Sequence, residues 1–389
     1  MTKKTAIIVL LSLLLLGIVF LSQIRLGVLT ALLLWDLLDE GSVSAPDRGV
    51  LAWVTPSPLS KQLEIPNGAR KIAADLYYPP GHKKRSAILL THGIIDAGKD
   101  DPRLIRFARS LARCGFVVLV PELQGMKSFR ILLSDVDDIV ASFRYLSSLE
   151  QVDRKKMGLL GFSYGAGPTF LAAAHSSIRD QVKFLTSFGG YYEPINVIRY
   201  ITTGHYEYRD IRGSQQPEPY GKWVFFVNNL EYIQSDKDRE LLKKIFEGEE
   251  KGKREEVAPL LKGLSPEGRY LHELVTNEDP QRVDLLIKRI DPRVQDYLRK
   301  ISMAPVIPSI QAYLLIGHGD TDPLIPYTES LRLADAVQNK SRVHLAILKQ
   351  FSHVDPARKS YPLREFLTVY IPSMAQFYYL IYDLLSQQS

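Results

Sequence analysis

One serine of the sequence lies in a pattern that suits nucleophilic chemistry. Ser163 is the centre of Gly161-Phe-Ser-Tyr-Gly165, a G-x-S-x-G between an apolar run that ends at Phe162 and an alanine-rich stretch at 169–175. On a sharp turn from strand to helix, such glycines remove clashes that a Cβ would make. The hydroxyl then stands free above the sheet, and the helix N-terminus favours developing negative charge. This context predicts a nucleophile, and a tight turn with an idle serine is the alternative.

A serine nucleophile needs a base and an acid that orients the base. His353 follows a predicted strand, and the carboxylate-rich loop at 318–326 follows the strand before it. These side chains come at the carboxyl ends of strands, the edge at which open α/β sheets form their sites. The chain order Ser163, Asp322, His353 is a known order of the Ser-His-Asp triad. We therefore expect His353 to take the serine proton and Asp322 to fix the tautomer of His353.

Alternating strands and helices are predicted to position these residues. Segments 60–66 and 69–78 flank Asn67-Gly68, which predicts a hairpin whose two central residues have positive φ. The strands predicted after it are 87–91, 116–120, 157–162, 310–316 and 343–348, and the helices are 102–112, 134–149, 169–175, 329–338 and 372–385. Short apolar runs of this kind suit a parallel sheet covered on both faces. The predicted fold class is α/β, a doubly wound and mostly parallel sheet.

The alternation stops between residues 191 and 304, where charged, helix-forming sequence predominates. About 110 helical residues inside a sheet domain predict a helical cap inserted between two strands. Residues 50–190 and 305–389 are then the catalytic domain, and residues 191–304 are the cap. Tyr191, Tyr192 and Trp223 of the cap are candidates for lining a substrate pocket.

These motifs resemble those of the α/β-hydrolase superfamily, nearer its dienelactone-hydrolase and acetyl-xylan-esterase-like branches than its lipases. In that superfamily a His-Gly-x sequence after the third strand positions an amide of the oxyanion hole, and Thr91-His92-Gly93-Ile94 matches it. The resemblance implies that the amides of Ile94 and Tyr164 surround the oxyanion. His92 itself is expected to hold its loop through hydrogen bonds.

The acid loop of the superfamily reads His-Gly-x-x-Asp-x-x-Val/Ile-Pro, and residues 318–326 match it. The match implies that Asp322 is the acid, with Asp320 as the alternative. The resemblance covers most of residues 69–197 and 309–357, and neither the cap nor the N-terminal segment belongs to it. It implies an α/β-hydrolase fold and a serine hydrolase that forms a covalent acyl-enzyme.

Two other patterns allow different chemistry. Gly93-Ile-Ile-Asp-Ala-Gly98-Lys99-Asp100 fits G-x-x-x-x-G-K after a strand, the context of a phosphate-binding loop. Asp100 replaces the expected hydroxyl with a carboxylate that would repel phosphate, which disfavours nucleotide binding. His318, Asp320 and Asp322 could hold a metal, but alternating side chains on one short loop are more typical of solvated turn carboxylates. We expect no metal and no cofactor.

Composition restricts the class of protein further. The chain has 389 residues, of which 46% are hydrophobic and 24% charged, so a disordered or collagen-like protein is excluded. The net charge of +6 is spread along the chain, which makes nucleic acid a poor candidate partner. Cys114 is the single cysteine, so neither an internal disulfide nor a cysteine zinc site can form. Serine is then the credible nucleophile.

The N-terminus carries a membrane signal. Lys3 and Lys4 precede an uncharged run from Thr5 to Leu21. A helix from Thr5 to residue 23 spans roughly 28 Å, close to the thickness of a hydrocarbon core. The nearest small-x-small site is followed directly by Pro46, which opposes cleavage. We predict an uncleaved signal anchor within residues 1–40, with a cleaved signal peptide as the alternative.

The charges around this run predict its orientation. Lys3, Lys4 and the amino terminus outweigh Arg25 alone, which favours a catalytic domain on the extracytoplasmic side. Residues 26–38 are predicted to continue as a helix that lies at the membrane interface or packs on the domain. Residues 41–49 are the predicted linker.

The sequence therefore predicts a membrane-anchored serine hydrolase that cleaves an ester or related acyl bond of a small-molecule substrate. A peptidase or a thioesterase could use the same residues. From a different class, a non-catalytic, membrane-anchored envelope protein could keep the fold as a binding module. The oligomeric state is left open.

Overall fold

The structure is a computed structural model that describes residues 3–38, 49–349, 351–352 and 362–388. The predicted base, His353, and nearly all of the predicted linker at 41–49 lie outside these residues. The side chain of Trp223 is also outside the description. The role of His353 therefore stays a prediction from the sequence.

Most strands of the described chain belong to one eight-stranded sheet. In chain order the strands are β1 (Leu59–Asn67), β2 (Arg70–Tyr78), β3 (Arg85–Thr91), β4 (Val117–Pro121), β5 (Val152–Phe162), β6 (Val182–Phe188), β7 (His205–Tyr208), β8 (Ile211–Ser214), β9 (Tyr313–Gly319) and β10 (Val343–Leu348). The sheet has the order β1-β2-β4-β3-β5-β6-β9-β10, and β7 pairs with β8 separately. Strand β2 is antiparallel to β1 and β4, and all other pairs in the sheet are parallel. The predicted α/β class with a mostly parallel sheet is confirmed.

Helices flank the sheet and fill the segment between β6 and β9. In chain order they are α1 (Lys3–Leu38), α2 (Leu51–Val54), α3 (Pro102–Arg113), α4 (Gln124–Lys127), α5 (Leu133–Ser148), α6 (Ala166–Ala173), α7 (Pro194–Thr203), α8 (Pro219–Val227), α9 (Asp236–Glu250), α10 (Arg254–Leu261), α11 (Pro266–Thr276), α12 (Val283–Ile287), α13 (Pro292–Lys300), α14 (Thr328–Ala336), α15 (Leu363–Glu365) and α16 (Ile371–Ser386). A π-helical turn, Phe366–Tyr370, joins α15 to α16.

Side chains of the central strands alternate between two apolar cores, one on each face of the sheet. Along β3, Ala87 and Leu89 enter one core, whereas Ile88 and Leu90 enter the other. Helices α5 and α6 contribute to the first core, and α1, α3 and α16 contribute to the second. Because helices cover both faces, β4 is buried at all five of its positions.

The opening hairpin is confirmed, but its turn is displaced by one residue from the predicted Asn67-Gly68. Asn67 ends β1 and pairs with Arg70, so Gly68 and Ala69 are the central residues. Only Gly68 of these two has positive φ, at +61°, which is the pattern of a type II′ rather than a type I′ turn. The Asn67 side chain instead donates a hydrogen bond to Asp138 at 2.7 Å.

The segment between β6 and β9 contains α7 to α13 and the β7–β8 hairpin, which the sequence patterns do not predict. Its charged helices are amphipathic. Leu242, Ile245 and Phe246 of α9 are fully buried in the first core. The division into a catalytic domain and a cap at residues 191–304 stays a prediction.

The N-terminal apolar segment forms one unbroken helix, α1, of 36 residues. By length and composition, Phe20–Leu38 is suited to crossing a membrane. The same part of α1 packs on the domain, because Leu33 and Leu34 are buried and the hydroxyl of Tyr378 donates to the carbonyl of Gly27 at 3.1 Å. Of the two predicted placements of residues 26–38, packing on the domain is present.

Candidate active site

Ser163 lies where β5 ends, on a single helical turn formed by Ser163–Gly165 directly before α6. Its φ is +52°, and among the described non-glycine residues only Phe129 and Arg209 share a positive value. A residue in such a conformation costs about 1 to 3 kcal/mol and keeps it only where the surrounding structure enforces it. Ser163 is also buried, with 8% of its surface exposed.

The glycines on either side of Ser163 are required by close backbone approaches. A Cβ on Gly161 would lie 2.6 Å from the Cα of Ala166, at the start of α6. A Cβ on Gly165 would collide with the carbonyl oxygen of His92. Any larger residue at either position would separate α6 from β5 or displace the loop that follows β3. The G-x-S-x-G spacing is thus a steric consequence of the turn.

The loop after β3 passes directly against Ser163. A Cβ on Gly93 would lie 3.0 Å from the Cβ of Ser163 and 3.5 Å from its Oγ. His92 holds this loop, because its Nδ1 donates to the carbonyl of Gly93 at 2.8 Å and its Nε2 accepts from the amide of Leu123 at 3.0 Å. His92 therefore has the structural role expected from the sequence. Ile94, the predicted oxyanion donor, comes next and lines the adjoining cavity.

The buried imidazole of His92 is expected to make stability depend on pH. Burial lowers the pKa of His92 below the usual value. Below about pH 6.5 the imidazole is therefore protonated in the unfolded chain before it is protonated in the folded chain. This contribution to stability is present above pH 6.5 and is lost as the pH falls, with a slope of at most about 1.4 kcal/mol per pH unit. Thermal unfolding of His92→Gln should show a flatter fall in Tm between pH 6.5 and 5 than the wild type.

The matched control for this prediction is His175→Gln, because His175 is exposed on the loop after α6. Its substitution should leave the pH dependence of Tm unchanged. Equal slopes for His92→Gln and the wild type would contradict the prediction.

Asp322 lies in the loop after β9 and is fully buried. Its Oδ1 accepts from the amides of Leu324 and Ile325, at 2.8 and 2.9 Å. Its Oδ2 lies 3.2 Å from Nε2 of His318, whose Nδ1 is 2.7 Å from the hydroxyl of Ser330. The carboxylate is thus held in one orientation by its own loop and by a buried histidine.

Asp320, the alternative acid, has a different environment. Its side chain is 18% exposed and lies 3.3 Å from the ammonium of Lys349. The ring nitrogens of His318 are used in hydrogen bonds with the hydroxyl of Ser330 on α14 and with the carbonyl of Ile325 in the loop. Among the described residues, no group of three or more His, Cys, Asp or Glu side chains is placed to hold a metal.

The chain after β10 is tied to the acid loop. The carbonyl of Phe351 accepts from the amide of Thr321 at 3.3 Å and from its hydroxyl at 2.8 Å. Thr321 directly precedes Asp322, and Phe351 is two residues before His353. The predicted base therefore follows a residue that is bonded beside the predicted acid, although His353 lies outside the described residues.

An apolar cavity of about 370 Å³ adjoins Ser163 and the loop after β3. Six phenylalanines line it together with Tyr164: Phe107, Phe162, Phe188, Phe225, Phe351 and Phe377. The ring centroids of Phe107 and Phe162 are 5.4 Å apart, and Phe377 lies 5.8 Å from Phe188 and 5.4 Å from Phe351. A lining of this kind favours an apolar group in contact with Ser163.

Similar solved structures include several hydrolases, whereas no protein-family profile and no curated protein matches the sequence. The acylaminoacyl peptidase of Pyrococcus horikoshii covers 85% of this chain at 15% identity, with a TM-score of 0.49. This chain spans only 42% of that protein. Est1E from Butyrivibrio proteoclasticus covers 84% at 15% identity and a TM-score of 0.46, with 98% of its own chain aligned. Dienelactone hydrolase from Anabaena variabilis covers 83% of this chain at 14% identity, with a TM-score of 0.43 and 98% of its own chain aligned.

The order of the sheet decides the fold. Strand β2 is antiparallel, the strands β4-β3-β5-β6-β9-β10 are parallel, and the strained serine turn follows β5 directly. The chain has the α/β-hydrolase fold. The resemblance found in the sequence is therefore confirmed at the level of the fold, which by itself does not determine a reaction.

The predicted phosphate-binding motif has another role in this fold. The ammonium of Lys99 lies 2.6 Å from Asp100 and 3.1 Å from Asp75, and the amide of Lys99 donates to Glu122. Three carboxylates thus surround the lysine, and their charge would repel a phosphate group. The structure does not support the nucleotide-binding alternative.

The cap aromatics predicted to line the pocket do not do so where they are described. The hydroxyl of Tyr191 donates to the carbonyl of Ile301 at 2.9 Å, inside the protein, and Tyr192 is likewise absent from the cavity wall. Among the described side chains of the segment between β6 and β9, Gly221 and Phe225 of α8 line the wall. Nothing in the sequence distinguishes a helical hydrophobic residue that lines a pocket, such as Phe225, from one that packs in the core.

Proposed function

We propose that this α/β-hydrolase is a membrane-anchored serine hydrolase that cleaves an ester with an apolar acyl group through a covalent acyl-enzyme. The observation that carries the proposal is the position of Ser163. It occupies a strained turn with φ of +52°, lies against the loop of Gly93 and adjoins an apolar cavity. A serine without a chemical role has no need of this conformation at this place.

In the proposed mechanism the Oγ of Ser163 attacks the acyl carbonyl while His353 takes the hydroxyl proton. His353 then returns the proton to the leaving alcohol, and the same groups activate a water that hydrolyses the acyl-enzyme. The amides of Ile94 and Tyr164 donate hydrogen bonds to the oxyanion of each tetrahedral intermediate. The contact of the Gly93 loop with Ser163 supports this placement of the Ile94 amide.

Asp322 is the proposed positioning residue for His353. Its burial, the two amides that donate to Oδ1 and the proximity of His318 to Oδ2 hold the carboxylate in one orientation. A fixed carboxylate selects the correct tautomer of the histidine and stabilises the imidazolium that forms when the serine loses its proton. The hydrogen bonds between Thr321 and Phe351 support the approach of His353 to Asp322.

An apolar acyl ester suits the cavity better than a charged substrate. Three charged residues reach the wall: Arg103 and Asp101 pair with each other at 2.9 Å, and the guanidinium of Arg106 donates to the carbonyl of Leu37. The remaining wall is dominated by phenyl and aliphatic groups. Such a wall binds acyl chains through the hydrophobic effect.

The function is tested on the full-length protein in detergent. A fluorophosphonate probe should label it with a stoichiometry of one and abolish its activity. In a panel of p-nitrophenyl esters, acyl thioesters and aminoacyl amides, we expect kcat/KM for the esters to be at least about tenfold higher and to rise with acyl length. Higher rates with thioesters or amides would favour a thioesterase or a peptidase. Absence of both labelling and hydrolysis would favour the non-catalytic envelope protein.

The proposed membrane anchor is α1. The uncharged run that follows Lys4 and the length of the helix support attachment, and the lysines support an extracytoplasmic catalytic domain. Alkaline carbonate should leave the full-length protein in the membrane pellet. Release into the supernatant would contradict the anchor without affecting the proposed reaction.

A further inference from the structure

The outward face of α1 is apolar even where the helix packs on the α/β-hydrolase domain. Leu21, Ile24, Val28, Ala31 and Trp35 recur at spacings of three and four residues and are all exposed. The exposed fractions are 66% for Leu21, 47% for Ile24, 50% for Val28 and 67% for Trp35. We call these five residues the outer stripe. A helix on the surface of a soluble domain carries polar residues on this face.

Polar residues near the outer stripe do not interrupt it. Thr30 is buried on the opposite side, where its hydroxyl donates to the carbonyl of Leu26 at 2.9 Å. Arg25 lies about 80° from the centre of the stripe at roughly 100° of rotation per residue, so its long side chain can extend sideways to water. Beyond Arg25 the outer face of α1 is therefore apolar, and the two polar residues of this part, Thr30 and Asp36, are buried.

Contacts with α16 give the direction of α1 on the domain. Tyr378 bonds Gly27, and Tyr382, one turn later, bonds Gln23, so the two helices are antiparallel. The C-terminal end of α16 meets the amino edge of the sheet, where Ser86 at the start of β3 donates to the carbonyl of Gln387 at 3.3 Å. Helix α1 therefore runs from the amino edge of the sheet toward its carboxyl edge.

The C-terminal end of α1 is part of the active-site wall. Leu37 and Leu38 line the cavity that adjoins Ser163. Arg106 of α3, another wall residue, donates to the carbonyl of Leu37 at 2.9 Å. The end of the outer stripe at Trp35 is therefore within one helical turn of the cavity.

Exposed apolar side chains continue beside this end of α1. Helix α2 is joined to it, because the carboxylate of Asp36 accepts from the amides of Val50 and Leu51. Trp53 and Val54 of α2 are 80% and 61% exposed. Near the start of α16 the exposed fractions are 73% for Leu363, 53% for Leu367 and 45% for Ile371.

Two orientations at a membrane are compatible with an anchor at the N-terminus. If α1 stood upright, residues 20–38 would raise the cavity by roughly 27 Å above the bilayer and leave the outer stripe in water. If α1 lay obliquely against the bilayer, lipid would cover the stripe and the cavity would meet the membrane surface. Tryptophan at the interface, as at Trp35 and Trp53, is typical of the second arrangement.

We propose that the outer stripe lies in the lipid of the bilayer, and that the cavity receives a membrane-dissolved acyl ester past Leu37 and Leu38. The proposal rests on the proposed membrane-anchored hydrolase and adds its orientation and the phase from which its substrate comes. The stripe is continuous with the anchor, because Lys3–Leu38 is one helix. Lipid is therefore the nearest apolar medium that can cover it.

The orientation is tested by the fluorescence of Trp35 in phosphatidylcholine vesicles. The full-length variant Trp53→Phe/Trp223→Phe leaves Trp35 as the sole tryptophan, since the chain has three. We expect brominated phosphatidylcholine to quench at least about half of its emission and aqueous acrylamide to quench little of it. The control adds Trp35→Phe and Leu285→Trp, because Leu285 on α12 is 64% exposed. Its emission should be quenched by acrylamide alone.

Each other result overturns the inference in a distinguishable way. Quenching of Trp35 by acrylamide alone, in protein that sediments with the vesicles, means that α1 stands upright and the anchor is correct. Emission that neither quencher reaches means that protein, such as a second copy of the chain, covers the stripe. Protein that does not sediment with the vesicles contradicts the anchor itself.

Substrate entry is tested with Val28→Glu/Trp35→Glu. We expect at least about a tenfold lower rate on a long-chain ester embedded in vesicles, with p-nitrophenyl acetate in solution cleaved within about twofold of the wild-type rate. Leu285→Glu, the matched control, should change neither rate. An unchanged rate on the embedded ester would overturn entry from the lipid, whereas failure of the wild type to cleave p-nitrophenyl acetate would contradict the proposed function.

Discussion

Replacing Ser163 by alanine is expected to lower kcat for ester hydrolysis by about a thousandfold to a millionfold. The reason is that alanine removes the attacking oxygen and leaves only the oxyanion donors and substrate binding to accelerate attack by water. KM should change little, because the cavity wall that binds the acyl group stays intact. Labelling by the fluorophosphonate probe should disappear. The measurement is steady-state kinetics of the full-length variant on the best ester of the panel.

Ser177→Ala is the matched control for this result. Ser177 is an exposed serine on the loop after α6, and its hydroxyl bonds only its neighbour His175 at 2.9 Å among the contacts described for it. It should keep wild-type labelling and kcat. The Tm of Ser163→Ala should stay close to that of the wild type, since alanine and serine have similar difficulty with φ of +52°. Equal labelling of Ser163→Ala and the wild type would refute the proposed nucleophile.

Asp322→Asn is expected to lower kcat by about a thousandfold to ten-thousandfold, while Asp320→Asn should stay within about threefold of the wild type. An amide at position 322 cannot stabilise the imidazolium and favours the wrong tautomer of His353. Asp320 is partly exposed and pairs with the exposed Lys349, and ion pairs that face solvent contribute little. The pair of variants thus compares two carboxylates on one loop by steady-state kinetics.

A structural role of Asp322 requires a separate readout, because its carboxylate also holds the loop. In Asp322→Asn the amide nitrogen faces either the backbone amides or His318, which costs about 1 to 3 kcal/mol and lowers Tm. Loss of the loop structure alone would raise KM together with the fall in kcat. The positioning role predicts that KM stays within about threefold and that the rise of kcat/KM near the histidine pKa of about 6.5 is altered. A larger loss in Asp320→Asn would reverse the assignment.

The nucleophile and its turn are predictable from the sequence because their determinants are local. Gly161 and Gly165 are two residues from Ser163, and Gly161 is required by Ala166 of the same strand-turn-helix unit, whereas Gly165 is required by the carbonyl of His92 in the loop after β3. The strands β3 and β4 are equally predictable, since burial on both faces makes their sequences apolar. Identifying Asp322 as the acid depended on the resemblance to the superfamily, because spacing alone does not distinguish Asp320 from Asp322.

Other features depend on partners far away in the chain. Strand β6 is absent from the predicted strands, because Lys183, Thr186 and Ser187 interrupt its apolar run. Its burial comes from the neighbouring strands β5 and β9. The turn after β1 is displaced because the register of the whole hairpin, Asn67 opposite Arg70, outweighs the local preference of Asn67-Gly68. Both misses are tertiary effects that override local propensity.

The sequence by itself determined the α/β class, the strained serine turn and an apolar N-terminal segment, since each follows from short-range periodicity or sterics. Only the tertiary structure decided that Asp322 is buried while Asp320 pairs with Lys349, and that α1 lies on α16 with Leu37 and Leu38 in the wall of the cavity. The physical reason is that burial and pocket shape arise from contacts between segments that are separated along the chain. No local sequence pattern shows which apolar residue contacts a substrate and which packs in the core.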